Sequence, residues 1–387
     1  MKPFSSFGRG PYPLMAAAAS YRRRRLLLSS WRRLTRWEYW PLWAAYPPVV
    51  VWIIWLALKH RGATLFTAAN PAIPGSGVVG ESKHAILCGL AGSPAHVARH
   101  RLIRAFLRPA GRLSLADAFM TAERLELPIV LKPNVGERGA GVAVVRTREE
   151  LAAYLDAAVT DTIVQEYVPG VEFGVFYVRR PAARHGWILS VTEKHLPGVT
   201  GDGRRTLERL ILDDARAVGM ARFHLRRQSA RLNEVPAAGE TVSLGDCGSH
   251  CRGALFLDGA RLRTPAVEAV FDGIARRYDG FYFGRFDVRA PSVEAFARGE
   301  FSIIELNGVT SEDTHIYDPA VSLAAAYRAL FEQWSLAFEI GAENARRGAH
   351  VTPPWALLRQ SIAAMRRAGP AATPPTEPSL LSAPSAR

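Results

Sequence analysis

Residues 39–58 (YWPLWAAYPPVVVWIIWLAL) run for twenty positions without a charged side chain, which is the length a helix needs to cross a bilayer. Proline interrupts that reading. Pro47 and Pro48 lack backbone donors, and Pro48 disfavours a helical conformation at the residue before it, so the uninterrupted apolar helix is 49–58. Ten residues rise only about 15 Å, too little to span. Three readings of the segment stay open: a buried helix ending at Lys59, His60 and Arg61 with Gly62 as its C′ residue, an interfacial element rich in Trp and Tyr, or a span.

Charge separates this region from the rest. The net charge is +14, and residues 1–61 contribute +10 of it through eleven Lys and Arg against the single acid Glu38. The remaining chain carries +4. A basic, aromatic appendage suits an anionic lipid surface, and residues 1–61 are the expected peripheral membrane contact. Nucleic acid is the rival partner, but no recognisable nucleic-acid motif accompanies Arg22–Arg36. Arg22, Arg23, Arg24 and Arg25 are followed by only three leucines, too few for the apolar core of a cleavable signal. Three cysteines, Cys88, Cys247 and Cys251, are too few and too odd for a disulfide framework. A cytoplasmic protein is the expectation, with peripheral attachment to a membrane through 1–61 as the open alternative.

Beyond Gly62 helical and strand periodicities alternate, predicting an α+β or α/β fold. Strands are expected at 64–68, 129–132, 142–145, 163–167, 172–178, 187–192, 283–289 and 302–306. Helices are expected at 81–90, 116–125, 149–159, 206–217, 266–278 and 319–345. After about 350 the chain turns to Pro, Ala and Ser, predicting a tail disordered at its end.

Three segments carry chemistry. In PIVLKPNVGERGAGVAVVR (128–146) Gly136, Gly139 and Gly141 lie in a loop between two strands, with Lys132 at its mouth. Glycines let backbone N–H groups close on an anion, and the lysine adds a cation for phosphate; an ordinary glycine hairpin is the alternative. In IVQEYVPGVEFGVFYV (163–178) Pro169 and Gly170 predict a type II turn between two strands, flanked by Glu166 and Glu172. A carboxylate there suits ribose hydroxyls, or is simply solvated. In FGRFDVR (283–289) Arg285 and Asp287 share one strand face, and in FSIIELN (301–307) Glu305 and Asn307 do the same. Such a set of hard oxygens suits Mg²⁺, since two carboxylates buried together need a cation; a salt bridge to Arg285 or Arg289 is the alternative.

In that order and spacing, the motifs LKPNVGERGAGV, QEYVPGVEF and GRFDVR…IIELN resemble those of ATP-grasp enzymes, similar to D-alanine–D-alanine ligases and, around 191–210, to cyanophycin synthetase. The resemblance covers about 81–345. It implies two α+β subdomains clamping ATP, with an appendage at 1–62, a short pre-grasp α/β region at 63–119, the grasp domain at 120–349 and a tail at 350–387. It implies that Lys132 contacts the α- and β-phosphates and that the loop of Gly136, Gly139 and Gly141 closes over the triphosphate. Gln165, Glu166, Tyr167 and Val168 would form the adenine hinge, and Glu172 would bind ribose. Asp287, Glu305 and Asn307 would hold Mg²⁺ (or Mn²⁺), and Arg285 would stabilise the transferring phosphoryl group. The implied activity is that of a carboxylate–amine ligase acting on small molecules through an acyl phosphate, releasing ADP and phosphate. A non-catalytic ATP-binding protein docked on the membrane is the alternative.

Lys194 is assigned to a mobile substrate loop, reaching the γ-phosphate, with Arg204 and Arg205 as contacts for an acceptor carboxylate or as a solvated helix start. Lys83 is weighed as the family's earlier phosphate lysine. Thr310, Ser311 and His315 follow the metal strand and are candidates for the substrate site. Cys247, His250 and Cys251 are read as packing or loop residues, since no second ligand pair suggests zinc.

Overall fold

The computed structural model describes residues 12–136, 139–245 and 253–367. The chain opens with α1 (Tyr12–Thr35), α2 (Leu42–Ala45) and α3 (Pro47–Lys59). Helix α3 begins at the two prolines and not after them, because the first helical turn has no use for their missing donors. Its C-terminus forms a Schellman motif: Gly62 N–H donates to Ala57 O (3.0 Å) and Arg61 N–H to Leu58 O (3.2 Å). The left-handed residue is Arg61 (φ 54°), so the expected C′ role of Gly62 passes to Arg61 and Gly62 stands one position later. At 13 residues α3 rises about 20 Å, and among the described residues no helix is long and apolar enough to cross a membrane.

The appendage is docked on the body. Val49 and Leu56 of α3 are buried against Leu330, Trp334 and Phe338 of a long helix near the C-terminus, and Trp52 Nε1 donates to Phe331 O (3.0 Å). Residues 64–68, expected as a strand, form a 3₁₀ turn at Leu65–Ala68 that packs on the same long helix, where Asn344 Nδ2 donates to Ala68 O (3.0 Å). Tertiary packing overrides the β-branched pattern there.

Next come α4 (Lys83–Gly89), β1 (His100–Ile103), α5 (Pro109–Ala122), β2 (Ile129–Pro133), β3 (Ala143–Val145), α6 (Arg148–Ala157) and β4 (Thr162–Glu166). Their strands form an antiparallel sheet ordered β1-β4-β2-β3, with Ile129, Leu131 and Val164 packed on Phe119, Leu151 and Leu155 of the helices. Strand β1 belongs to this unit, and the expected division at 119/120 falls inside α5.

The second sheet, ordered β11-β10-β5-β6-β9, is also antiparallel. It comprises β5 (Val171–Val178), β6 (Trp187–His195), β9 (Leu255–Asp258), β10 (Phe283–Ala290) and β11 (Ser302–Asn307). Its elements are interleaved with β7 (Gly198–Thr200), α7 (Leu207–Asp213), α8 (Ala221–Arg227), β8 (Thr241–Ser243), α9 (Pro265–Arg276) and α10 (Val293–Ala297). One face buries Phe173, Val175, Tyr177, Phe286, Val288 and Ile303 against α9 and α10. The other buries Phe176 and Phe283 against Leu336 and Ile340 of α11 (Leu323–Arg346) at one end, and carries charged side chains at the other. The strands β4 and β5 lie in different sheets, so Pro169 and Gly170 form a crossover between sheets and not the expected hairpin turn. Gly170 (φ 107°) is required there, since a Cβ would lie 2.0 Å from Ala290 O.

The small two-stranded antiparallel sheet of β7 and β8, with α7 and α8, receives α1 through Tyr21 and Leu26, and Arg25 Nε donates to Leu212 O (2.6 Å) at the C-terminus of α7. The final described helix, α12 (Pro354–Arg367), occupies part of the expected tail. The whole is an α+β fold, as expected.

Candidate functional site

Strand alternation places Arg285, Asp287 and Arg289 on the face of β10 opposite the Phe286 and Val288 core, level with Glu172 on β5 and with Glu305 and Asn307 on β11. The register sets Asp287 directly opposite Glu305, and Arg285 opposite Asn307. Two carboxylates opposed in a ladder repel unless cations intervene, and they do. Asp287 Oδ1 accepts from Lys194 Nζ (2.7 Å) and Arg285 Nε (2.9 Å). Its Oδ2 accepts from Arg285 Nη2 (3.2 Å) and Asn307 Nδ2 (3.1 Å). Glu305 pairs with Lys83. Glu172 is shared between Lys194 (3.1 Å) and Arg289 (3.5 Å).

Burial opposes the charge of Asp287, but Arg285 and Lys194 outweigh it and hold the carboxyl well below the ordinary range. Glu305 is lowered in the same way, against burial, by Lys83 and Lys132. Lys194 resists burial through Asp287 and Glu172, which raise its pKa. At Lys132 the nearby carboxylates do not outweigh burial. Burial pushes its ammonium down to about 8, with Glu305 pulling up and Lys83 down. Its Nζ donates to Ile304 O (2.9 Å), which also accepts from Gln165 Nε2 (3.1 Å). That carbonyl is free because the β10–β11 register shifts at Asp287/Val288, leaving Ile304 without a partner residue on β10. One bulge therefore ties both sheets together.

Five cations and three carboxylates meet directly here, and Glu81 and Glu312 act on Lys83 and Arg285 from further out. The donor set fits magnesium. Asp287 and Glu305 supply hard oxygens from adjacent strands, and the Asn307 nitrogen is spent on Asp287, leaving its Oδ1 as a further acceptor.

The structure brings Lys132, Gln165, Glu172, Lys194, Arg285, Asp287, Glu305 and Asn307 together. It corrects Lys194, which lies on β6 and not in a mobile loop: the strand runs three residues past its expected end and buries the lysine. Gly139 (φ 70°) and Gly141 (φ 73°) adopt left-handed turns between β2 and β3, with Gly136 preceding; Glu137 and Arg138 lie outside the described residues. Glu166 turns its carboxylate to Arg99 (2.7 and 2.9 Å), and its backbone N–H donates to Arg99 O (2.8 Å). Tyr167 lies under Arg289, whose Nη1 donates to Val168 O (2.8 Å).

Arg205 is tied to Asp202 (2.7 Å) and Asp213 (2.9 Å), and Asp202 also accepts from the backbone of Arg204, as a plain turn does. Thr310 donates to Gly77 O and Ser311 to Gly308 O, so both hold the turn after β11, while His315 pairs with Asp313. Cys247, His250 and Cys251 lie outside the described residues.

Two members of the cluster carried little weight in the sequence. Lys83 follows Ser82, whose hydroxyl accepts from Ala85 N as the N-cap of α4 and donates to Asn134 Oδ1 (2.9 Å) beside Lys132. The Ser-Lys start of a helix was the available signal. Arg289 is two residues beyond Asp287, so alternation alone put it on the same face.

No family model and no curated relative matches the chain. Solved structures do. A bifunctional glutathione synthetase from Pasteurella multocida is similar at 17% identity over 65% of this chain, with a TM-score of 0.36; the chain spans 36% of that protein's length. A D-alanine–D-alanine ligase from Bacillus anthracis is similar at 13% identity over 74% of this chain and 67% of its own, TM-score 0.36. The ATP-grasp ligase PsnB, in complex with a minimal precursor, is similar at 13% identity over 65% and 60%, TM-score 0.37. At these TM-scores the likeness carries no functional argument, and the chain's own residues must supply it.

Proposed function

We propose that the chain is an ATP- and magnesium-dependent ligase that joins a small-molecule carboxylate to an amine. One observation carries the reading: where the two sheets meet, Lys83, Lys132, Lys194 and Arg285 converge on Asp287, Glu305 and Asn307, the cations and hard oxygens that a magnesium-bound triphosphate needs. Bound there, magnesium would neutralise charge on the β- and γ-phosphate oxygens. Lys132 and Lys83 leave Ile304 O and Glu305 for phosphate oxygens, and the loop of Gly136, Gly139 and Gly141 presents backbone N–H groups. Gln165 to Val168 edge the adenine, and Glu172 accepts from ribose hydroxyls.

A substrate carboxylate oxygen attacks the γ-phosphorus, ADP leaves, and Arg285 with Lys194 stabilises the charge on the transferring group. The amine nitrogen then attacks the acyl carbon, loses a proton and expels phosphate. No side-chain nucleophile is needed, because alignment and fixed charge supply the catalysis. Incubating the purified chain with ATP, Mg²⁺, hydroxylamine and a panel of acids should release ADP and trap a hydroxamate. Release of AMP overturns the acyl-phosphate route. ATP binding without turnover on any acid and amine favours a nucleotide-binding role alone.

The exposed face of α3 supports attachment to an anionic bilayer surface. Val50, Val51, Ile54, Trp55 and Leu58 form one helical stripe open to solvent, and Lys59 and Arg61 flank it. Lys59 Nζ lies 5.0 Å from the Trp55 ring, placing a cation at the edge of the apolar stripe as lipid headgroups demand.

A further inference from the structure

We propose that His84, Cys88 and His100 form a transition-metal site of the zinc class, separate from the magnesium ligands and on the back of the helix that carries Lys83. His84 and Cys88 are four residues apart on α4 and so share one face. His100, the first residue of β1, meets that face from the sheet. One ligand atom from each residue lies within 4.8 Å of the other two.

The separations suit a tetrahedral ion. Metal–sulfur and metal–nitrogen bonds of ordinary length at a tetrahedral angle hold sulfur and nitrogen about 3.6 Å apart. Cys88 Sγ lies 3.6 Å from His84 Nε2, 3.9 Å from His84 Nδ1 and 3.9 Å from His100 Nε2, so the His84 ring has to turn about its side-chain bonds to aim Nε2 at a shared ion. The two imidazole rings stand edge to face, 5.2 Å between centroids, and do not stack. His100 Nδ1 lies 3.1 Å from Ala98 O, a backbone acceptor that keeps the proton on Nδ1 and leaves Nε2 as a lone pair facing the sulfur. That outer contact fixes the ring as metal-bound histidines require.

The chemistry is that of a borderline-soft divalent ion: two imidazoles and one thiolate are zinc ligands and poor ones for magnesium. Cys88 is exposed, so the fourth position opens to water. Binding forms the metal–sulfur bond and releases the thiol proton to solvent. Its consequence for the chain is mechanical. His84 adjoins Lys83, which pairs with Glu305, and His100 lies opposite Gln165 in the β1–β4 register. An ion held by all three clamps α4 to β1 and fixes the reach of Lys83.

The test uses the full chain, stripped with chelator and titrated with Co²⁺ as a spectroscopic probe. The expected result is one ion per chain, with a thiolate-to-cobalt charge-transfer band and the intense visible bands of a tetrahedral site, displaced by Zn²⁺. Cys88→Ser should abolish the charge-transfer band, and His100→Ala should weaken affinity by about tenfold or more. A double change of Cys247→Ser with Cys251→Ser should leave the band intact, since those residues are the other thiols. Unfolding curves for each variant show whether the fold survives. A band that persists in Cys88→Ser, or one that disappears with Cys247 and Cys251, overturns the proposal. So does a wild-type chain that takes up cobalt without a thiolate band.

Discussion

Replacing Lys194 by methionine keeps a similar apolar stem and removes the ammonium that Asp287 and Glu172 share at 2.7 and 3.1 Å. All three groups are largely buried, with side-chain exposures of 5%, 8% and 14%. Solvent therefore cannot replace the lost partner. Arg285 still covers Asp287 and Arg289 still reaches Glu172, so one carboxylate is under-compensated but not abandoned. Removing one member of a buried pair costs about 3–5 kcal/mol, and the residual arginines place Lys194→Met at the lower end, about 3 kcal/mol. Urea unfolding with linear extrapolation reads this as a lower midpoint at unchanged slope.

The sign with pH follows from Asp287, whose folded pKa is depressed. Its contribution is present above the unfolded value of about 4 and is lost as pH falls through the folded one, so the gap between wild type and variant should narrow in acid. Magnesium alone should stabilise the variant more than the wild type, because it meets carboxylates no longer held by the ammonium. A loss below about 1 kcal/mol, or a gap indifferent to acid, would mean that the cluster is solvated and the charge argument for the cleft is wrong.

Other perturbations are expected to separate chemistry from scaffold. Arg285→Lys keeps the charge but loses the two-pronged contact with Asp287, and should lower ADP release in the hydroxylamine assay about 100-fold with little change in nucleotide affinity. Gly170→Ala forces a side chain into a left-handed position against Ala290 O and should cost about 2 kcal/mol or more in thermal or urea unfolding. Val51→Glu together with Trp55→Glu should abolish co-sedimentation with vesicles containing phosphatidylglycerol, while wild type should bind those and ignore pure phosphatidylcholine. Binding to both vesicles alike, or a wild-type dimer that the double change dissolves, assigns the stripe to another use.

The sequence disclosed the site unevenly, for physical reasons. Strands with an apolar face, such as 129–132 and 283–289, were legible because alternation with a core is a local property. Lys194 was not: Glu193 and Lys194 follow the expected strand end and look like a loop, and partners from β5 and β10 make the burial of the lysine tolerable. The bulge at Ile304 left no trace in an unbroken apolar run. Sheet membership was equally hidden, since β1 pairs with a strand some sixty residues later and Pro169–Gly170 reads the same in a hairpin as in a crossover. His84 and Cys88 at helical spacing were visible, but His100 joins them only through the fold.

The bulge at Ile304 gives the resting cleft a particular discrimination. A neutral carbonyl engages both Lys132 and Gln165, so the lysine nearest the glycine loop starts with a partner weaker than any anion. Water or a neutral sugar gains little by displacing that partner, whereas a phosphate oxygen gains a charge-assisted bond. On the proposed phosphate binding, the same displacement would loosen one tie between the two sheets and so couple the arrival of charge to their freedom to move at a single backbone oxygen.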